Sequence, residues 1–378
     1  MTNARATYRT GRDRVERILD AAHELFITNG YRATSLREIA RASGISHPAL
    51  LKYFPTKHEI LTDLVERLDA ESGSWWDSNA SPDIGARSIV AIARRNESTP
   101  GWIELFTSLL GEATSPDHPG HELMLTRYRL GMQQAEEYFA TAFDDPHGGR
   151  EEALRIGAAW NGLQILSLYF PGEIDIPQQL ADYETGLIHQ GSVKPADTPN
   201  PPGAPYDEPS DDSSLTPRVR ALRSAARLYA KRGYYETSMQ EVATEAGLTK
   251  AALANIASTK QALLDLVLTE LIDAPLDSQP GAWITAVADR PRWLVAAEVV
   301  LMCEATMPSH PAHRFMHGRL AKIRAIPVSD PANADVQSPS TRETTDWFVA
   351  SALGMVVAWL YEPDDVPLDH ILAAEHSR

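Results

Sequence analysis

Two histidine pairs, His118 with His121 and His310 with His313, each stand three residues apart in a chain of 378 residues. At that spacing two imidazoles can share one face of a helix and begin a metal site. Both pairs, however, are interrupted by a proline in an H-P-x-H step, and no third ligand recurs beside them. A structural role is expected of them, with no bound metal. The single cysteine, Cys303, excludes an intramolecular disulfide framework and any multi-cysteine metal centre. Its apolar neighbours mark it as a small buried residue rather than a redox switch. No glycine-rich phosphate loop, nucleophile elbow or paired-carboxylate motif stands out. These residues argue against an enzyme and call for no cofactor.

The histidines belong to a longer agreement. Residues 112–121 read EATSPDHPGH and residues 304–313 read EATMPSHPAH, a spacing of 192 that also relates Gly162 to Gly354 and Pro171 to Pro363. Upstream, residues 30–46 (GYRATSLREIARASGIS) return as residues 233–249 (GYYETSMQEVATEAGLT) at a spacing of 203, and Lys57 and Leu61 return as Lys260 and Leu264. The chain therefore carries one domain twice, with a shorter interval between the two halves of the second copy. Between the copies, Gly191 to Pro217 holds seven prolines in 27 residues. That stretch reads as an extended linker, able to span ~80 Å at ~3.1 Å per residue.

The elements at the start of each copy follow from periodicity and caps. From Asp13 to Thr28 the apolar residues Val15, Ile18, Leu19, Ala22, Leu25 and Phe26 make the stripe of an amphipathic helix. Asn29-Gly30 supplies its C-cap. Ser35, with Glu38 three residues on, opens a second helix as a capping box. Gly44 permits a sharp turn. Ser46 caps a third helix with Pro48 in its first turn, expected to run to about Tyr53, and Pro55-Thr56 starts a long fourth. Two short helices across a glycine turn are the geometry that lays a recognition helix in the major groove of DNA.

The charge distribution favours that reading. The whole chain, with 35 basic and 51 acidic residues, carries −16. Residues 1–60 nevertheless carry +4 and residues 216–263 carry +5, leaving −25 on the rest. Basic charge sits where phosphate would dock. The chain's length implies two to four folded units and its 43% apolar content allows sizeable cores. Met1 to Arg14 has no apolar centre, so it is not a secretory signal. Phe348 to Tyr361 is too short to span a bilayer. A soluble cytoplasmic protein without a membrane partner is expected.

The run GYRATSLREIARASGISHPALLKYFPTKHEIL resembles the DNA-binding domain of the TetR family of bacterial regulators. The likeness covers about 50 residues of each copy, with weaker agreement over both C-terminal regions. It implies an all-α fold of two repeats, each an N-terminal helix-turn-helix domain followed by a helical ligand-binding and dimerisation domain. The expected divisions are a first DNA-binding domain at 12–72, a first regulatory domain at 73–190, a linker at 191–214, a diverged second DNA-binding domain at 215–273 and a second regulatory domain at 274–378. The helices Glu151–Phe170 and Thr341–Tyr361 are apolar around most of their circumference. They are expected to form, within one monomeric chain, the four-helix interface that two family protomers make between chains. The chain would then be an intramolecular pseudo-dimer.

The resemblance also distributes roles. In the first copy Ser46, His47 and Ala49 would meet base edges, and Lys52, Tyr53 and Lys57 would grip phosphates. Thr34, Ser35 and Arg37 would add backbone contacts from the second helix. In the second copy Thr237, Ser238, Thr249, Lys250 and Lys260 keep polar positions, but Lys52, Tyr53 and Phe54 become Asn255, Ile256 and Ala257. That change weakens the phosphate grip, and Arg218, Arg220, Arg223 and Arg227 offer compensation from the preceding helix. Trp75, Trp76, Trp102, Phe106, Tyr128 and Trp160 are candidates to line a pocket for an unidentified small-molecule effector, or are ordinary core aromatics. The function expected is a ligand-responsive repressor on a double-stranded operator read by two unlike recognition helices. The rival is a regulator that binds a protein or an effector through a body whose heads have degenerated.

Overall fold

The architecture comes from a computed structural model that describes residues 2–79, 89–143, 148–190, 214–273, 287, 290–326 and 342–366, though not the side chains of 2–11, 75–79, 141–143, 148, 186–190 and 342–344. The linker at 191–213 and the side chains of Trp75 and Trp76 lie outside this set. The fold is all-α, with no strand among the described residues. None of the described helices is long and apolar enough to cross a membrane.

The chain divides into two compact units, residues 1–109 and 110–378. In the first, α1 (Thr2–Asn29) packs against α2 (Leu36–Ala42) and α4 (Lys57–Asn79), and the short α3 (His47–Leu50) sits on α2. The predicted stripe is the core: Ile18, Leu19, Ala22 and Phe26 from α1 meet Ile39, Leu50, Ile60, Leu61 and Leu64, all buried. Burying a large apolar side chain contributes roughly 1.5–3 kcal/mol, so this small cluster is enough to hold three helices. The third helix is shorter than its periodicity suggested. It ends at Leu50, and Leu51 to Tyr53 form a turn that brings Phe54 into the core. Two further helices, α5 (Ile89–Ser98) and α6 (Trp102–Glu112), lead out of this unit.

The second unit holds α7 (His121–Phe143), α8 (Gly148–Tyr169) and α9 (Ile176–Gln190) of the first copy. It also holds the second copy's head, α10 (Pro217–Glu236), α11 (Met239–Glu245), α12 (Lys250–Ile256) and α13 (Lys260–Val267), the last running into a π-turn at Leu268–Ile272. The second copy's body follows as α14 (Arg292–Glu304), α15 (His313–Arg324) and α16 (Arg342–Tyr361). The extensive packing of α8 on α16 forms the centre of the unit. A Cβ placed on Gly162 would lie 1.8 Å from the carbonyl oxygen of Ala350, and one on Gly354 would lie 1.8 Å from that of Ala158. Only glycine lets the two backbones touch. Farther along, the Tyr169 hydroxyl donates to the carbonyl of Met302 at 2.7 Å and the Tyr361 hydroxyl to that of Leu110 at 3.0 Å. Each residue in these pairs is matched by its own 192-residue equivalent, so the packing obeys a pseudo-two-fold axis. Within the second unit, the C-terminal helices of the two copies pack about this axis.

Candidate nucleic-acid interface

Each head is built by local rules that the two copies share. The Ser35 hydroxyl accepts the amide of Glu38, and the Glu38 carboxylate accepts the amide of Ser35 at 2.8 Å. Ser238 and Glu241 repeat this capping box. The hydrogen bonds from Ser35 and Ser238 hold both glutamates below the ordinary carboxylate range. Gly44 and Gly247 turn the chain at φ 71° and 62°, where a side chain would be strained. Ser46 then caps α3 by accepting the amide of Ala49, and Thr249 caps α12 by accepting that of Ala252. Each recognition helix thus starts at an exposed hydroxyl residue, Ser46 or Thr249.

The nominated side chains fall into two groups. Ser35, Arg37, Ser46 and Lys52 are exposed, with His47, Ala49 and Tyr53 half-buried beside them. The Tyr53 hydroxyl accepts from Arg14 of α1 at 3.2 Å, which sets a cation from the first helix next to the end of α3. Sequence reading passed over Arg14, and its only signal was the basic character of the N-terminal helix. The other group faces inward. Thr34 is 1% exposed and its hydroxyl donates to the carbonyls of Gly30 and Leu25. The Lys57 ammonium donates to the carbonyls of Tyr31, Arg32 and Thr34 at 2.9, 3.2 and 3.0 Å and lies 4.4 Å from the centre of the Tyr31 ring. These two residues tie the α1–α2 loop to α4 and have their polar groups engaged inside the head.

The second head repeats the inward group. Thr237 is buried and donates to the Gly233 carbonyl at 2.8 Å, while Lys260 donates to the Tyr235 carbonyl at 3.0 Å and sits 4.3 Å over the Tyr234 ring. Burial lowers the Lys260 pKa. Phosphate contact was expected of Thr34, Thr237, Lys57 and Lys260, but their groups serve the heads' own backbone because the glycine-tyrosine loop leaves carbonyls that need donors. Ser238, Thr249, Lys250 and Asn255 are exposed. Three of the four arginines expected to compensate from α10 are engaged: Arg218 pairs with Glu270, and Arg223 and Arg227 lie 5.5 and 5.0 Å from the Trp293 ring. The first head carries the reverse ion pair at the same place on its fourth helix, where Arg67 meets Glu16 and Asp20 of α1 at 3.2 and 2.8 Å.

The profile of the bacterial regulatory proteins of the tetR family matches residues 18–64 and again residues 221–267. Both heads match the tetR-family model. The chain resembles the HTH-type transcriptional repressor Rv3405c of Mycobacterium tuberculosis, 35% identical over 94 residues, which are 24% of this chain and 50% of that protein. It also resembles the HTH-type transcriptional regulator EthR of Mycolicibacterium smegmatis, 30% identical over 115 residues, 30% of this chain and 49% of the relative. The chain spans about half the length of the curated relatives it matches. The TetR family is one of regulatory proteins rather than enzymes.

The effector candidates are placed as follows. Trp102 and Phe106 of α6 are buried, their rings 4.5 Å apart, with the Arg95 guanidinium 4.9 Å over Trp102. Tyr128 is half-buried and stacks at 5.8 Å on Tyr361, and burial raises its pKa. Trp160 is half-buried on α8. Trp102 and Phe106 belong to the first compact unit, Tyr128 and Trp160 to the second.

The histidine pairs have definite hydrogen-bonding roles. The Nδ1 atoms of His118 and His310 accept the amides of Gly120 and Ala312, so their protons reside on Nε2, 3.6 and 3.7 Å from the carboxylates of Glu112 and Glu304. His121 and His313 take the opposite tautomer, since each Nδ1 lies 2.7 Å from a carbonyl, of Ala113 and Ala305, that can only accept. The two histidines of a pair do not share a helix, because α7 and α15 begin only at the second histidine of each.

Proposed function

We propose that the chain is a ligand-responsive transcriptional repressor that binds one double-stranded operator with two non-identical heads. The observation that carries this reading is the pair of complete helix-turn-helix heads whose exposed or half-buried recognition residues differ: Ser46, His47, Ala49 and Lys52 in one, Thr249, Lys250 and Asn255 in the other. Ser35, Arg37 and Tyr53, with Ser238 in the second copy, supply further backbone contacts. Phosphate contacts set affinity and its salt dependence, and base contacts set sequence preference. Unlike recognition helices joined by a pseudo-two-fold body call for an operator with two unlike half-sites.

The pseudo-dimeric body makes a monomeric chain sufficient. Repression is supported by the description of the mycobacterial relative as a repressor. Effector binding near Trp102 and Phe106, or near Tyr128 and Trp160, would shift the heads and lower operator affinity by a coupling of about 1–3 kcal/mol. A cytoplasmic location accords with such a role. A second reading, in which the second head has lost DNA, rests on one observation: Asn255, Ile256 and Ala257 replace a cation and two aromatics.

A footprint on the intergenic DNA beside the gene separates these readings. Two protected half-sites of different sequence support the proposal, one supports the degenerate second head, and none removes the repressor. Light scattering tests the architecture, where a species at twice the chain mass contradicts the closed monomer.

A further inference from the structure

The E-A-T-x-P-x-H-P-x-H motif is the part of the repeat that DNA reading does not use. In the second copy its first residue, Glu304, closes α14 and is 5% exposed. The Glu304 carboxylate accepts the backbone amide of Tyr234 at 2.8 Å. That amide follows Gly233, where α10 breaks at φ 65° and ψ −176°. A Cβ on Gly233 would stand 1.8 Å from Oε1 of Glu304, so the glycine provides both the kink and the room for the carboxylate. His310 stands behind Glu304, with Nε2 3.7 Å from its Oε2. The rings of Tyr234 and Tyr235 meet His310 edge-on at 5.4 and 5.2 Å. From the other side Lys260 of the head holds the Tyr235 carbonyl.

We propose that Glu304, oriented by His310, is a positioning residue for DNA binding by the second head: it clamps the 233–235 hinge and so sets the angle at which α11 and α12 leave α10. The chemistry suits the role. A charged acceptor on a buried amide is among the stronger hydrogen bonds, and losing it leaves the Tyr234 amide without that acceptor in the interior. The hinge follows the helix that begins the head and is held by the residue that ends α14. A displacement of α14 by one side-chain length is therefore conveyed to the recognition helix through one backbone bond. This inference rests on the second head reading DNA.

The test uses the full chain in three forms: wild type, Glu304→Gln and Glu304→Ala. Amide exchange in the absence of DNA reads the clamp, and footprinting across both half-sites reads its consequence. Glu304→Ala is expected to accelerate exchange at Tyr234 and along α11 by about tenfold and to weaken the second half-site by about tenfold, with the first half-site and the α8–α16 core unchanged. Glu304→Gln keeps an acceptor and is expected to restore most of both. Unchanged exchange in Glu304→Ala overturns the clamp, and so does a glutamine variant as impaired as the alanine one. Faster exchange with an unaltered second half-site overturns its role in DNA binding. If Glu304→Ala fails to fold, His310→Gln, which leaves the carboxylate in place, is expected to give the same pattern more weakly, and an unaltered hinge there overturns the proposal. A wild-type protein that protects no second half-site defeats the DNA reading itself, and this role with it, and is recognised before any variant is compared.

Discussion

Gly111 and Cys303 hold the same place in the two repeats and face each other. A Cβ on Gly111 would lie 2.3 Å from the Cys303 Cβ and 2.6 Å from its Sγ. Equivalent positions can meet only on a symmetry axis, so this contact marks where the pseudo-two-fold passes through α6 and α14. The axis is not symmetric in chemistry. One copy offers no side chain and the other fills the space, a complementarity that two separate identical chains could not have. Burial raises the Cys303 pKa, which keeps the thiol protonated and inert.

Gly111→Val should therefore overcrowd the axis and destabilise the chain by about 1–3 kcal/mol. Adding Cys303→Gly should recover most of that loss, since the volume is only moved across the axis. Urea melts of the four members of the cycle measure the coupling. Additive effects would place the two residues apart.

The repeat, the helix-turn-helix and the all-α class were legible because each rests on local signals: capping boxes at Ser35 and Ser238, apolar stripes, and glycines at the turns. The pairing of the two apolar helices was legible from their all-round hydrophobicity. The direction in which polar side chains face was not. Thr34 and Lys57 have the composition of phosphate ligands, and their engagement by the α1–α2 loop follows from which carbonyls the tertiary fold leaves open. Glu304 was visible only as a conspicuous letter of the repeat, because its partner amide lies 70 residues away.

Lys57 tests that distinction. Replacing it with methionine removes the donor from three carbonyls and should cost about 2–3 kcal/mol, whereas an exposed phosphate ligand would cost almost nothing in stability. In the folded variant the salt dependence of operator binding should keep its slope. A shallower slope at wild-type stability would return Lys57 to the DNA surface.

A second buried charge is asymmetric between the copies. Arg324 of α15 is held by both carboxylate oxygens of Asp346 on α16 at 2.6 and 2.8 Å, both residues almost fully buried, with its guanidinium 4.0 Å over the Phe170 ring. Asp346→Ala leaves that cation without its buried anion and should cost about 3–5 kcal/mol. Arg324→Met combined with Asp346→Leu should cost much less than either single change, because it removes both desolvation penalties. Thermal or urea unfolding decides between them.

His23 makes the first unit pH-sensitive. Burial, assisted by Arg67, lowers its pKa from the ordinary 6.5, outweighing Glu24, Asp20 and Glu71. The unfolded chain therefore binds a proton at a higher pH than the folded one. Stability from this site is complete above 6.5 and declines as pH falls from there towards the folded pKa, by no more than about 1.4 kcal/mol per pH unit. Amide exchange of α1 should accelerate over that interval in wild type and stay level there in His23→Gln. An equal acceleration in the variant would assign the effect to another group.

The recognition helices yield the most direct comparison. Lys52→Ala should weaken binding alike on all sequences and make the salt dependence shallower by about 0.9 in slope, as loss of one phosphate contact requires. His47→Ala should instead relax preference at one position of the first half-site, by about 1–3 kcal/mol if it makes a bidentate-quality contact. In the second head Asn255→Lys with Ile256→Tyr supplies the cation and the aromatic that the first head carries. If that head already lies on DNA, the double variant should tighten the second half-site and steepen the salt dependence by about 0.9. If it lies off DNA, neither quantity should move, and the two recognition helices would then differ in function as well as in sequence.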